Sequence, residues 1–159
     1  MTPAIKLLDR QKVNYKLREY KANENSTDGY GVAAAYALGQ ETSRVFKTLL
    51  AVLDGNERKP VVGIVAVADQ LDLKLLAAVT GGRKAAMADS TLAERSTGYV
   101  VGGISPLGQR RQFTTVIDKS ALSFDTIYIS GGKRGLQIEI DPSDLQSLTC
   151  ATIDQIAKS

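Results

Sequence analysis

Two apolar segments joined by a turn signal restrict the possible folds of this chain more than any other feature. Residues 44–53 and 61–68 are dominated by aliphatic side chains, which occupy both faces of each segment when it is extended. Between them, residues 54–58 read Asp-Gly-Asn-Glu-Arg, which is typical of an antiparallel hairpin. A strand that is apolar on both faces must be covered on both faces. We therefore predict a central pair of strands that is either covered by helices or closed into a barrel.

Capping residues, periodicity and β-branched runs predict the elements around this pair. Helices are predicted where a capping residue or a terminal glycine bounds an apolar repeat, at residues 3–11, 32–38, 72–80 and 142–148, with a brief turn at 89–94. Strands are predicted at residues 13–17, 83–88, 114–117, 126–130 and 136–140. Residues 21–31 read as a loop, and residues 151–159 fit either a helix or a strand. The first strand should turn Val13, Tyr15 and Leu17 inward, with Tyr20 at its end.

Length and charge place the chain in a broad class. Its 159 residues suffice for one domain with a substantial core, which we expect to span residues 1–159 without a linker. The longest apolar runs are far shorter than a membrane helix, and the N-terminus lacks a signal-peptide pattern, so we expect a cytoplasmic protein that binds no membrane. A net charge of +3 argues against strong nonspecific binding of nucleic acid.

The residue types that are missing limit the chemistry. The chain has no His, which excludes a Ser-His-Asp triad, a His general base and a His-bound metal. Its one cysteine, Cys150, has apolar neighbours in the sequence, so we expect a buried, inert thiol rather than a nucleophile. The glycine-rich segments match neither the phosphate-binding loop nor the dinucleotide-binding spacing. We expect no cofactor and no metal, so any catalysis must use other side chains, backbone N–H groups or the substrate itself.

Residues 94–112 are the first candidate for a binding site. Four glycines in this stretch allow the backbone to approach a bound group, Tyr99 can stack or donate a hydrogen bond, and three hydroxyl residues add polar groups. The stretch therefore fits the floor and rim of a pocket. The alternative is a glycine-kinked strand that leads to a Ser-Pro turn in a packed core, and the stretch by itself does not decide between the two.

Lys47 is the second candidate. It lies within the first of the two apolar segments, between Phe46 and Thr48, with mostly aliphatic residues around it. A lysine in such a position either extends from a strand end into solvent or points into a pocket, where it meets an anionic or polar ligand group. Both interpretations are open at this point.

Six segments carry a family resemblance. They are Met-Thr-Pro-Ala at 1–4, Val-Phe-Lys-Thr-Leu-Leu at 45–50, Gln-Leu-Asp-Leu-Lys at 70–74, Met-Ala-Asp at 87–89, residues 95–109, and Ile-Tyr-Ile-Ser-Gly-Gly-Lys-Arg-Gly-Leu at 127–136. With these segments the chain resembles, nearly from end to end, the YbaK/EbsC family of bacterial trans-editing proteins. The resemblance is to members that act on Cys-tRNA(Pro) rather than to relatives that edit Ala-tRNA(Pro).

This resemblance implies a fold and an activity. The expected fold is mixed α+β, with a strongly curved, barrel-like mixed sheet of about six or seven strands surrounded by helices, as in the editing insertion of bacterial prolyl-tRNA synthetases. The expected activity is hydrolysis of the ester that joins a mistakenly attached cysteine to proline-specific tRNA. The expected partners are the acceptor end of Cys-tRNA(Pro) and prolyl-tRNA synthetase.

The resemblance also implies the residues of the site. Lys47 matches the indispensable pocket lysine of the family, and the backbone of Gly102 and Gly103 is expected beside it in a catalytic role. The residues expected to bind substrate are Tyr20, Thr48, Tyr99, Ser130 and Gln137. Gln137 stands where the family has Asp, which keeps a hydrogen-bonding group but removes the charge.

In the mechanism that the resemblance implies, the thiol of the substrate attacks its own carbonyl, so no enzyme nucleophile is needed. As a hypothesis, Lys47 anchors the terminal adenosine or its phosphate, while the Gly102 and Gly103 N–H groups face the developing oxyanion. Two alternatives stay open. One is a water-activating deacylase of Ala-tRNA(Pro) or another aminoacyl-tRNA, with Asp89 or Glu94 as the base, and the other is a noncatalytic module that binds tRNA or a synthetase.

Overall fold

The computed structural model of the protein describes residues 1–22 and 29–159, and its helices lie close to the predicted positions. They are α1 (Pro3–Arg10), α2 (Tyr30–Leu38), α3 (Leu73–Thr80), α4 (Ser90–Thr97), α5 (Pro142–Thr149) and a short 3-10 helix (Lys119–Ser123). Of the predicted loop at 21–31, residues 23–28 lie outside the described residues. None of the helices in the described ranges is long and apolar enough to cross a membrane.

Capping side chains and left-handed glycines explain where these helices begin and end. Asp72 accepts hydrogen bonds from the N–H groups of Lys74 and Leu75 at the start of α3, and Gly81 ends that helix at a φ of 84°. Asp89 caps α4 in the same way, and the helix runs through Thr97. The brief turn predicted at 89–94 is therefore a helix of two turns.

The strands form three sheets. In chain order they are β1 (Lys16–Glu19), β2 (Phe46–Leu53), β3 (Asn56–Ala66), β4 (Gln70–Leu71), β5 (Ala85–Met87), β6 (Thr114–Asp118), β7 (Ile127–Ser130), β8 (Leu136–Ile140), β9 (Thr152–Asp154) and β10 (Ala157–Lys158). A five-stranded mixed sheet has the order β5-β2-β3-β6-β9, a three-stranded antiparallel sheet has the order β1-β8-β7, and β4 pairs with β10. The segment at 151–159 thus forms strands rather than a helix.

The predicted central hairpin is confirmed. Strands β2 and β3 pair antiparallel and are interior strands of the five-stranded sheet. The turn itself is shorter than the predicted 54–58 segment, because Leu53 already faces Asn56. Asp54 and Gly55 both have positive φ, at 52° and 74°, which matches the twist of the flanking strands. Strand β3 therefore starts five residues before the apolar segment at 61–68.

The mixed α+β class is confirmed, but the expected barrel is not. The prediction of one strongly curved, barrel-like sheet of six or seven strands is wrong for the described residues, which form three separate sheets. The two larger sheets share one hydrophobic core, but strand pairing joins their described residues only at a parallel bridge between Val45 and Tyr128. Beyond that bridge β2 and β7 do not pair, so the sheets remain open toward each other.

Of the three residues expected to face inward from the first strand, Leu17 does not. All four residues of β1 are exposed, and Leu17 is 44% exposed although it was expected to face inward. The reason is that β1 is an edge strand that pairs only with β8. Val13 and Tyr15, which precede β1, are partly buried against the core. Tyr20 follows the end of β1, as expected, and its N–H donates to the carbonyl of Gly135 at 2.9 Å.

The prediction that Cys150 is buried is wrong as well. Its thiol is exposed, because Cys150 follows α5 in a left-handed conformation with a φ of 55°. This conformation reverses the chain direction toward β9 and turns the side chain away from the core. Apolar neighbours in the sequence did not reveal the cap position.

The buried carboxylate of Asp118 holds the C-terminal strands in place. One of its oxygens accepts from the N–H groups of Ile156 and Ala157 at 2.9 and 3.0 Å, and the other accepts from Ser120 N–H at 3.1 Å. Burial raises the pKa of Asp118, but these hydrogen bonds outweigh it and lower the pKa below its ordinary value. The carboxylate is therefore a stabilising group in its charged form.

Replacing Asp118 by asparagine is expected to lower the free energy of unfolding at pH 7 by about 2 kcal/mol, because charged hydrogen bonds become neutral ones. A lowered folded pKa contributes stability above the unfolded pKa, and this stability is lost as the pH falls through the folded pKa. The difference between the two proteins in urea unfolding should thus shrink at acid pH. The exposed Asp125→Asn variant is the control, and an equal loss there would contradict this role of Asp118.

Candidate functional site

A cavity of about 400 Å³ opens where the two larger sheets separate. The bridge between Val45 and Tyr128 closes one end, and the unpaired stretches of β2 and β7 diverge from it. The start of α2, the residues after β5, helix α4 and the loop after it complete the walls. The described lining residues are Tyr30, Gly31, Val45, Phe46, Lys47, Thr48, Leu49, Leu50, Met87, Ala88, Ser90, Ala93, Val101, Gly102, Ile104, Ser130 and Gln137.

Lys47 is the one charged side chain among the described residues that line this cavity. It is half-buried, and its position on the cavity wall agrees with the pocket interpretation rather than with a strand end in solvent. Burial lowers the pKa of Lys47 below its ordinary value, and the negative charge of Asp69 opposes this shift. The cavity thus offers a cation in a poorly hydrated setting, which suits an anionic or electron-rich ligand group.

Two further lining residues carry buried polar atoms that have no partner among the described residues. Thr48 is 8% exposed and Gln137 is 6% exposed, and neither Thr48 Oγ1 nor Gln137 Oε1 has a hydrogen-bond partner. Ser130, which pairs with Gln137 between β7 and β8, accepts a hydrogen bond from Gly132 N–H at 3.1 Å. Buried polar atoms are nearly always paired in folded proteins, so the two unpaired oxygens mark a place where a ligand can supply donors.

The glycine pair brings the loop after α4 against the loop between β7 and β8. Gly102 has a φ of 89°, and a Cβ there would lie 2.7 Å from the ring of Tyr30. A Cβ on Gly103 would lie 2.7 Å from the Cα of Lys133 and 3.0 Å from the backbone N of Arg134. Both positions therefore require glycine for close approach, in one case of a ring and in the other of backbone.

The hypothesis that both glycine N–H groups face an oxyanion is wrong for Gly103. Its N–H donates to the carbonyl of Val100 at 2.8 Å, so it is already used within the loop. No acceptor among the described residues takes the N–H of Gly102, which lines the cavity. Of the pair, only Gly102 has a donor available to a ligand.

Sequence reasoning missed Tyr30, a partly exposed lining residue that we call, with the Arg134 side chain packed on its ring, the cavity mouth. The guanidinium of Arg134 lies over the ring of Tyr30, 4.5 Å from its centroid, and Arg134 Nε donates to the Val101 carbonyl at 2.9 Å. Tyr30 lines the cavity and is 38% exposed. The sequence predicts a loop at Tyr30 because the apolar repeat begins at Val32, whereas α2 begins two residues earlier. An aromatic residue just after a glycine and before a small-residue helix was the available signal.

Tyr99 and Tyr20, both expected to bind substrate, are not among the lining residues. The Tyr99 hydroxyl donates to the Leu107 carbonyl at 2.7 Å, and its ring lies against Gly132. Burial raises the pKa of Tyr99 to about 12, with a small opposing effect of the Ala4 N–H. Tyr99 therefore supports the β7–β8 loop from behind, and Tyr20 is held beside Gly135 of the same loop.

Residues 94–112 contain less of the cavity than expected. The stretch begins inside α4, and no strand occurs between residues 98 and 113, so the glycine-kinked strand is not observed. Val101, Gly102 and Ile104 line the cavity, whereas the segment around Pro106 to Gln109 packs against α1. A Cβ on Gly108, for example, would lie 2.7 Å from the carbonyl of Pro3.

The two carboxylates considered as general bases have structural roles. Asp89 accepts from Leu92 N–H at 2.7 Å as the cap of α4. Glu94 Oε2 accepts from Val101 N–H at 2.8 Å and so fixes the start of the loop. Neither residue is among the described lining residues.

Comparison with known proteins gives consistent results. The model of the family described as "Aminoacyl-tRNA editing domain" matches residues 26–148. A protein of Enterococcus faecalis named "Putative Cys-tRNA(Pro)/Cys-tRNA(Cys) deacylase EbsC" is 40% identical over 148 residues, which cover 93% of this chain and 88% of that protein. A crystal structure described as "a putative trans-editing enzyme for prolyl tRNA synthetase" superposes on this chain with a TM-score of 0.84 at 21% sequence identity. The superposition covers 100% of this chain and 99% of the chain in that structure, and it shows that the two share a fold.

Proposed function

The chain belongs to the aminoacyl-tRNA editing domain family, and from this premise we propose that it is a trans-editing deacylase that removes cysteine from mischarged Cys-tRNA(Pro). The observation that carries the proposal is the composition of the cavity. Among its described lining residues there is one cation, several hydroxyls and one side-chain amide, and no carboxylate, thiol or imidazole. Such a lining can hold and polarise an ester but offers no obvious base or strong nucleophile.

A nucleophile within the substrate fits this lining. In the proposed reaction, the cysteine sulfur forms a bond to its own carbonyl carbon, and the bond from that carbon to the ribose oxygen breaks. The thiol proton passes through solvent to the departing tRNA hydroxyl. The product is free tRNA and a cyclic thioester, which water opens to cysteine. An intramolecular attack in a held conformer reaches effective molarities of roughly 10⁵ M or more, or about 7 kcal/mol, so positioning supplies much of the rate.

The cavity residues divide the remaining tasks. Lys47 anchors the terminal adenosine or its phosphate, and the N–H of Gly102, which no described residue accepts, supports the developing oxyanion. Ser130 and Gln137, which face each other across β7 and β8, contact the ribose and aminoacyl groups. Tyr20 and Tyr99 act indirectly, because both hold the loop that carries Ser130.

The mouth suits the unpaired 3′ end of a tRNA. Bases in single-stranded RNA stack on aromatic rings and on guanidinium planes, and Tyr30 with Arg134 offers both at the entrance. The small net charge of +3 supports only weak, salt-dependent affinity for tRNA by itself. We therefore propose that prolyl-tRNA synthetase is the partner that supplies tRNA specificity.

The water-activated alternative has less support. It requires a carboxylate base beside the ester, and both candidates, Asp89 and Glu94, are engaged with backbone N–H groups away from the cavity lining. Either would have to release a helix cap or a loop contact to reach substrate.

Selectivity in turnover is the test of this function. A pocket for cysteine cannot reject alanine strongly by size, since one methylene gives only about 1–3 kcal/mol. Thiol-assisted cleavage predicts that purified protein releases cysteine from Cys-tRNA(Pro) at least about tenfold faster than alanine from Ala-tRNA(Pro). Ser-tRNA(Pro), with a hydroxyl in place of the thiol, is the matched control. Equal rates for all three substrates would rule out the thiol-assisted route.

A further inference from the structure

The edge of β2 that faces the cavity is open at Thr48. On the side of β2 opposite β3, the carbonyl of Arg44 accepts from Tyr128 N–H and the carbonyl of Leu50 accepts from Ala88 N–H. Main-chain groups of a strand alternate between its two sides, and the N–H and C=O of one residue point to the same side. Thr48 is separated from both Arg44 and Leu50 by an even number of positions, so its main-chain groups point to the same side of β2 as theirs. Its N–H and C=O are therefore directed away from β3 and toward the cavity.

Neither neighbouring strand reaches this part of the edge. Strand β5 pairs with β2 only at residues 51–53, and β7 meets it only at the bridge of Val45. Among residues 1–22 and 29–159, no strand pairs with Thr48 on this side of β2, and its Oγ1 has no hydrogen-bond partner, although the residue is only 8% exposed. Buried polar groups without partners are costly, so an unpaired hydroxyl beside main-chain groups that no neighbouring strand pairs indicates a binding site.

We propose that Thr48 binds the aminoacyl group of the substrate through its main-chain N–H and C=O, as a residue of one strand binds the opposite residue of an antiparallel strand. An aminoacyl ester carries one amino group and one carbonyl, which are the donor and the acceptor of a single strand residue. In a hydrogen-bonded antiparallel pair, two such residues exchange both bonds. The Thr48 carbonyl accepts from the α-amino group, and the Thr48 N–H donates to the ester carbonyl.

This assignment rests on the proposed function and changes which groups stabilise the oxyanion. The N–H of Gly103 donates to Val100, whereas no described strand pairs with the cavity side of Thr48, so Thr48 and Gly102 are the donors that we assign to the oxyanion. Because both bonds involve only groups common to every aminoacyl ester, the subsite holds cysteine and alanine equally. Discrimination is then left to the thiol during turnover.

Replacing Thr48 by its α-hydroxy acid tests the donor directly, because the N–H becomes an ester oxygen and the side chain is unchanged. We expect kcat/KM for Cys-tRNA(Pro) to fall about 100-fold. The unfolding temperature should fall no further than in the Leu17 variant described next, because no described strand pairs with the replaced N–H in either case and the preceding carbonyl belongs to a paired strand in both. Leu17, whose N–H lies on the free edge of β1 and outside the cavity, is the matched control and should keep full activity.

An unreactive analogue separates this inference from the proposed function. In the analogue, cysteine is joined by an amide to 3′-amino-3′-deoxyadenosine. The affinity of the protein for this analogue reports the two proposed hydrogen bonds to Thr48 without any hydrolysis. We expect about a tenfold loss of affinity in the Thr48 variant and none in the Leu17 variant. If Cys-tRNA(Pro) is not hydrolysed but the analogue shows this loss, the proposed function fails and the subsite stands. If the Thr48 variant equals the wild type in hydrolysis and affinity, the subsite is wrong.

Discussion

A protein in which Lys47 is replaced by methionine is expected to deacylate Cys-tRNA(Pro) at least about 100-fold more slowly than the wild type. Methionine keeps most of the side-chain length and apolar contact but removes the charge. Lys47 carries the only charge among the described lining residues, so no neighbour in that lining replaces it. In a half-buried position, its field acts on the substrate with little screening by water.

The matched control for this variant is Lys59→Met, at an exposed position of β3, the strand that pairs with β2. It should retain full activity, and both variants should unfold near the wild-type temperature. Single-turnover rates with saturating protein separate the loss of chemistry from a loss of affinity for tRNA. Wild-type rates in the Lys47→Met protein would remove the lysine from the mechanism. Bound tRNA without cysteine release would argue against a merely binding module.

The charge of Lys47 also predicts a pH dependence. Because burial lowers its pKa, the ammonium is lost at a lower pH than in an exposed lysine. Activity that depends on the charge should therefore decline as the pH rises through that lowered pKa. The decline should be absent from the residual activity of the Lys47→Met protein, measured after subtraction of spontaneous ester hydrolysis.

Replacing Gly103 by alanine is expected to lower deacylation by up to about 100-fold and the free energy of unfolding by about 1–3 kcal/mol. The added Cβ would lie 2.7 Å from the Cα of Lys133 and 2.9 Å from its carbonyl carbon. Backbone atoms cannot rotate away as a side chain can. The loop that carries Gly102 must therefore separate from the loop that follows Ser130, and the cavity walls lose their relative position.

Gly82→Ala is the matched control for this crowding. Its Cβ would meet only the side chain of Leu53, at 3.1 Å and beyond, which can adjust. Neither glycine has a φ in the left-handed region, so the comparison isolates the contact from backbone strain. We expect near wild-type activity and a small change in stability for Gly82→Ala. A Gly103→Ala protein with normal kcat/KM would show that the loop contact does not position the site.

The sequence predicted the elements whose causes are local. Asp72 and Asp89 cap helices because their side chains reach N–H groups only two or three residues away. The hairpin at Asp54 and Gly55 follows from two adjacent residues that accept positive φ. The continuous apolar segments likewise predicted that β2 and β3 are interior strands, because burial on both faces leaves no room for a polar alternation.

The errors in the first strand and at Cys150 came from position within the whole fold. Leu17 alternates with polar residues as an inward residue should, yet β1 lies at an edge where that face remains exposed. Cys150 has apolar neighbours, yet its left-handed cap conformation turns it outward. Neither the exposure of Leu17 nor that of Cys150 can be predicted from a short segment of sequence, because each depends on which element packs beside the residue.

By itself, the sequence determined most of the helices and the central strands, the mixed α+β class, the absence of histidine chemistry and the residues that carry the family resemblance. Only the tertiary structure decided that the sheets separate beyond Val45 and Tyr128, so that a cavity opens instead of a barrel closing. It also decided that the N–H of Gly103 donates within its loop, while neither β5 nor β7 pairs with β2 at Thr48. The physical reason is that hydrogen-bond partners far apart in the chain are fixed by packing between elements, which no local pattern encodes.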